Sequence, residues 1–100
     1  MEEIYSYTLT DEEIFENVFT EESLLMNHAV IPPGKVFPAH PTDASVHALI
    51  IRGDLSVALE DGAANTYTRG QLVHIPKGVL SELGNRGTEP VELFIVKSDL

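Results

Sequence analysis

Four histidines carry most of the chemistry open to this chain. His40 and His47 stand seven positions apart in GKVFPAHPTDASVHALIIRG, between Gly34 and Gly53. Neutral imidazole favours Zn, Cu, Fe and Ni, so two such rings brought together would hold one of these ions. His28, in LMNHAV, and His74, in QLVHIP, lie inside apolar runs. There a histidine is more often a hydrogen-bonded wall or surface residue than a ligand. Ser81 with His40 would supply a nucleophile and a base. No third group orients the histidine, however, and no glycine-rich elbow surrounds the serine.

Positioning these side chains falls to strands. LLMNHAVI (24–31), VHALIIRG (46–53), DLSVALE (54–60), QLVHIP (71–76) and VELFIVK (91–97) are short, rich in Val, Ile and Leu, and bounded by turn residues. Pro32-Pro33-Gly34, Asp61-Gly62, Pro76-Lys77-Gly78 and GNRGTEP (84–90) supply the turns. Strands at this spacing predict an all-β fold, an antiparallel sandwich or small barrel. IYSYTL (4–9) reads as an edge strand, open to exchange with a partner. TDEEIFENVF (10–19) reads as one short helical turn capped by Thr10 or Asp11. Tyr5, Tyr7, Phe15 and Phe19 are expected in the core or a dimer contact. The expected core is Leu24, Met26, Val30, Leu49, Ile51, Leu55, Val57, Leu72, Ile75, Leu93 and Ile95. A one-residue error of face would swap each set with its neighbours.

Length and composition narrow the function. A chain of 100 residues with 43% apolar content makes one globular domain. Sixteen acidic against six basic residues give a formal net charge of −10. Such a surface repels phosphate backbones and anionic lipid, so neither nucleic acid nor membrane is an expected partner. The acid pairs Glu12-Glu13 and Glu21-Glu22 belong to that solvated surface. With no cysteine there is no disulfide or thiolate chemistry. No apolar run is long enough for a membrane span, and the acidic N-terminus is unlike a leader, so a cytoplasmic location is expected.

The glycine, proline and asparagine spacing resembles the cupin superfamily. Gly34, five residues, His40 and the closing Gly53 match the frame of its first motif; Gly70, five residues, Pro76, Lys77, Gly78 and then Asn85 match the second. The resemblance covers residues 24 to 97 and implies a small antiparallel β-barrel, or jelly roll, of cupin type. Members with an intact site bind one divalent metal through three histidines and a glutamate. Here His40 keeps its position, Thr42 and Ser81 replace the other two histidines, and Val46 falls at the glutamate position. Counted from His40 with the longer spacing, that position falls on His47 instead. Strand parity bears on the choice: if Val46 points inward, His47 points away, unless a β-bulge between 42 and 47 reverses it.

The resulting expectation is a barrel over residues 24–100, with residues 1–23 as an N-terminal strand or extension exchanged in a homodimer. Its pocket is lined by His40, Thr42, Val46 and Ser81, lacks a cofactor, and serves as a binding or sensing module for a small, largely apolar or neutral molecule. One alternative is a metal-dependent enzyme of dioxygenase or isomerase type, holding Fe, Mn, Ni, Cu or Zn through His40 and His47. The other is a structural dimeric barrel that binds a partner protein.

Overall fold

The alternating runs do form strands. The computed structural model describes residues 1–99. It contains β1 (Ile14–Thr20), β2 (Leu24–Ile31), β3 (His40–Pro41), β4 (Ser45–Arg52), β5 (Asp54–Leu59), β6 (Asn65–Thr68), β7 (Leu72–Ile75), β8 (Leu80–Gly84) and β9 (Val91–Ser98). All pairings are antiparallel, in a five-stranded sheet of order β1-β2-β9-β4-β7 and a four-stranded sheet of order β3-β8-β5-β6. The fold is therefore all-β, two antiparallel sheets in the barrel arrangement that the turn spacing predicts and that the resemblance implies. Among the described residues there is no helix, and so none long and apolar enough to cross a membrane.

The inner faces meet in one core containing Ile31, Val46, Ala48, Ile50, Leu55, Val57, Ile75, Val91, Leu93 and Ile95. The expected core holds for β5 and β9 but is one residue out of phase in β4. Ala48 and Ile50 are buried there, while Leu49 is 39% exposed and Ile51 only partly buried. Leu72 is also exposed, and Leu24 and Met26 are only partly covered.

Two further expectations are corrected at the N-terminus. Residues 4–9 form no strand, and residues 10–19 hold no helical turn. Instead β1 pairs with β2 from Ile14↔Val30 to Thr20↔Leu25, so the barrel begins at residue 14 rather than 24. Val18 interrupts that register as a bulge between Asn17 and Phe19, breaking the period of two by which a strand is recognised. The preceding arm lies on the outer face of its own chain's large sheet. There the Tyr7 ring meets His28 at 4.8 Å and Phe94 at 4.9 Å, and Tyr5 meets Phe19 at 5.0 Å.

A charged cluster fastens the arm. His28 is fully buried, with Nδ1 2.8 Å from Glu16 and Nε2 2.6 Å from Glu92. Glu92 also accepts from Arg52 Nε at 3.0 Å, and Arg52 reaches Asp11 and the Thr10 carbonyl. A bulge between Ile50 and Arg52 makes this possible, because the extra residue turns Arg52 to the side of Glu92. The Thr8 amide and hydroxyl both donate to Glu16 at 2.8 Å. These two bonds, with His28, hold the Glu16 carboxyl below its ordinary range.

Candidate functional site

Between the sheets lies a cavity of about 360 Å³. Its walls are inward-facing residues of five strands: Ala29 and Ile31 from β2, Val46 from β4, Ile75 from β7, Leu83 from β8, and Leu93 and Ile95 from β9. Phe15 of β1 and the segment Phe37–Pro38–Ala39 complete the apolar lining. Its more exposed members, among them His40, Asp43, Ala39 and Phe15, mark the mouth.

All four expected pocket residues, His40, Thr42, Val46 and Ser81, line this one cavity. They come from different strands and loops, and backbone pairing brings them together. His40 faces Ser81 directly across the β3–β8 ladder. Val46 sits inward on β4, 5% exposed, with Lys97 of β9 as its cross-strand neighbour. Thr42 is committed elsewhere: its hydroxyl donates to the Pro76 carbonyl and accepts from the Gly78 amide, each at 2.9 Å. It ties down the turn after β7. Ser81 is buried, and its hydroxyl makes no hydrogen bond among the described residues.

His40 and His47 are not brought together. The β4 bulge falls after Ile50, too late to reverse Val46 and His47, so parity sends His47 to the outer face. There its ring stacks on His74 at 4.3 Å and an interplanar angle of 10°, and His74 Nε2 lies 2.9 Å from Ser45 Oγ. The expectation of an ion shared by His40 and His47 fails on this geometry. At the cavity mouth, His40 Nδ1 donates to the Pro41 carbonyl at 3.1 Å. One imidazole, one neutral hydroxyl and a valine do not fit a divalent transition metal, which needs about three protein ligands. Among the described residues no three His, Asp or Glu side chains are grouped to share an ion.

Among the lining residues that were not foreseen are two charged ones, Asp43 and Lys97. Lys97 Nζ donates to Asp43 Oδ1 at 3.2 Å, and both side chains border the cavity. That hydrogen bond and the ammonium charge hold the Asp43 carboxyl below its ordinary range. Lys97 was legible in VELFIVK, because it is in phase with Leu93 and Ile95. Asp43 left no comparable signal.

The motif frame has a structural account of its own. Gly34, Gly53, Gly70 and Gly78 all have φ between +78° and +91°. At Gly53 a Cβ would also lie 2.3 Å from the Pro90 carbonyl oxygen, so the turn between β4 and β5 admits no side chain. Asn85 is fully buried. Its Nδ2 donates to the carbonyls of Ile31 at 2.9 Å and Glu89 at 2.7 Å, while its Oδ1 accepts from the Gly87 amide at 3.0 Å.

Known proteins share this fold. An uncharacterized protein of Methanocaldococcus jannaschii, MJ0764, is 32% identical over 85 residues, covering 85% of this chain and 73% of that protein. The crystal structure of MJ0764, described as an RmlC-like cupin family protein with a double-stranded β-helix fold, superposes with a TM-score of 0.91 at 29% identity. The match covers 98% of this chain and 91% of that one. The cupin domain of Schizosaccharomyces pombe Cnp3 shares the fold at a TM-score of 0.79 and 23% identity, over 94% of this chain and 70% of that one. The family model for the cupin domain matches residues 27–97, from the middle of β2 almost to the end of β9. With both motif frames in place around one cavity, the chain belongs to the cupin family.

Proposed function

We propose that this protein is a binding or sensing module that takes a small, predominantly apolar molecule, without a metal, into the cavity between its sheets. The observation that carries the reading is the lining itself: about 360 Å³ walled by aliphatic and aromatic side chains, with Val46, Thr42 and Ser81 where other members place charged or imidazole ligands. That volume lies within the range of small-molecule sites. Replacing ionic donors by valine and hydroxyls removes the cost of holding unpaired charge beside an apolar guest.

Protein purified without a histidine tag tests the reading in two steps. Elemental analysis is expected to find no stoichiometric transition metal. A thermal-shift screen of small apolar metabolites is expected to find a stabilising guest. At a hundred times its Kd a guest adds about 2.7 kcal/mol. Val46→Phe, which grows into the cavity, abolishes that gain. One tightly held metal per chain, released by His40→Ala, would overturn the reading.

A homodimer has its own supporting observation. Leu49 and Leu72 are cross-strand neighbours on the outer face, 39% and 59% exposed, beside the His47–His74 stack. These four side chains form a patch free of acidic residues on a molecule of net charge −10, where two copies can meet without strong repulsion. Leu72→Glu is expected to shift the mass measured by light scattering from dimer to monomer. A monomeric wild type refutes the assignment.

A further inference from the structure

We infer that the guest of this cavity is a monocarboxylate with a compact apolar body, its head group received by Lys97. This rests on the binding reading above and specifies the ligand class. Lys97 lies on β9 between Leu25 of β2 and Val46 of β4, in phase with the cavity-lining Leu93 and Ile95. It is thus an inward-facing lysine on an otherwise apolar strand face, with its side chain 28% exposed. Of the six basic residues in the chain, it is the one that lines the cavity.

Its partner is easily displaced. The Asp43 side chain is 79% exposed, and an ion pair so open to solvent contributes little. A carboxylate entering from the mouth can take the ammonium while Asp43 turns to water. The hydroxyl of Ser81 is a further donor in the same lining, whereas that of Thr42 is committed to the turn.

The head group is limited to a single charge. One ammonium beside an aspartate, on a molecule of net charge −10, is a poor receiver for a phosphate dianion. Volume limits the body. At the packing density of protein interiors, the cavity takes about ten to thirteen non-hydrogen atoms. Most of them meet Phe37, Ile31, Leu83 and Ile95 rather than polar groups.

Isothermal titration with 3-phenylpropionate and its neutral counterpart 3-phenylpropan-1-ol tests the assignment. Wild type is expected to bind the acid about tenfold more tightly, as one charge-assisted hydrogen bond supplies. Lys97→Met is expected to bring that preference to about one, and Lys97→Arg to keep it. Asp43→Asn, which frees the ammonium, raises the preference further. Equal affinity of wild type for acid and alcohol, or a preference surviving in a folded Lys97→Met, overturns the carboxylate assignment and leaves the cavity reading standing. Wild type that binds neither probe overturns both.

Discussion

Asn85→Ala measures how far the barrel depends on one buried amide. The side chain joins three segments: the end of β2 through Ile31, the β8–β9 loop through Gly87 and Glu89, and its own strand end. Backbone bonds bring in a fourth, since the Gly34 amide donates to the Asn85 carbonyl at 2.8 Å and the Asn85 amide to that of Lys35 at 2.7 Å. Alanine keeps those backbone bonds and removes the three made by the side chain. At a net value of about 1 kcal/mol each, the loss is roughly 3 kcal/mol. Ile31 is buried, so leaving its carbonyl without this donor adds a desolvation cost to that figure. In a domain of this size the melting temperature falls by roughly 12–24 °C.

Asn85→Asp separates bonding from packing. It keeps the shape but sets a carboxylate oxygen against the two carbonyls that Nδ2 now serves. Burial and those carbonyls raise the pKa of the new acid in the folded state. Stability relative to wild type is therefore greatest below the ordinary aspartate pKa and is lost as pH rises through the raised value. Urea denaturation followed by circular dichroism at pH 7 and pH 4.5, with m unchanged, gives both numbers. Either variant within 0.5 kcal/mol of wild type at pH 7 (about the scatter of a neutral surface change) would refute the argument.

Gly53→Ala meets both a positive φ and a backbone oxygen at 2.3 Å, while Gly70→Ala meets only the positive φ, with open space around it. The first is expected to cost about 3 kcal/mol or more and the second about 1 kcal/mol, and equal losses in denaturation would contradict the steric account. Because the folded-state pKa of Glu16 is depressed, its contribution is present above the unfolded value near 4.3 and is lost as pH falls through the lower folded value. The Thr8 amide should lose hydrogen-exchange protection across that acid window, and unchanged protection from pH 6 to pH 3 would sink the linkage. Combining Thr42→His, Val46→Glu and Ser81→His restores four family ligands around the cavity, and the variant should gain about 2.7 kcal/mol from Zn²⁺ or Ni²⁺ at a hundred times Kd. A folded variant that no such ion stabilises would show that the frame does not aim these positions at one point.

What the sequence disclosed follows from where periodicity and punctuation survive. β2 and β9 are apolar-rich runs bounded by prolines or turn residues, so their class was legible, and their limits to within one residue. β1 was not, because Val18 shifts the register midway and the acids before it imitate a helix start. β6, NTYT, is a polar edge strand with no apolar phase to detect. In β4 the apolar run continues through both faces, so the expected core took Leu49 and Ile51, whereas the inner wall there is Val46, Ala48 and Ile50. The site followed the same rule. Its four motif positions were legible because the glycines and Asn85 fix their spacing, while the side on which His47 falls depended on where β4 bulges. Asp43 joins the site only through a long-range pair with Lys97, which no local pattern announces.

These observations separate what holds the barrel from what occupies it. Gly53, Asn85 and the Thr42 hydroxyl act on backbone atoms of turns, so none of them needs a ligand in order to work. Val46 and Ser81 line the cavity without bonding to those turns, so their replacement by a metal set leaves every one of those backbone contacts in place. The arm is fastened on the opposite face through His28, Glu92 and Arg52, outside the cavity lining altogether. A change of guest therefore requires changes at inward positions alone and leaves the turn anchors untouched, except where one residue serves both purposes. Thr42 is such a residue: a histidine there gains an imidazole but forfeits the two bonds that anchor Pro76 and Gly78. The restored metal variant should accordingly melt below wild type when empty and above its own empty form when loaded. That pair of shifts tells a ligand position from a turn anchor.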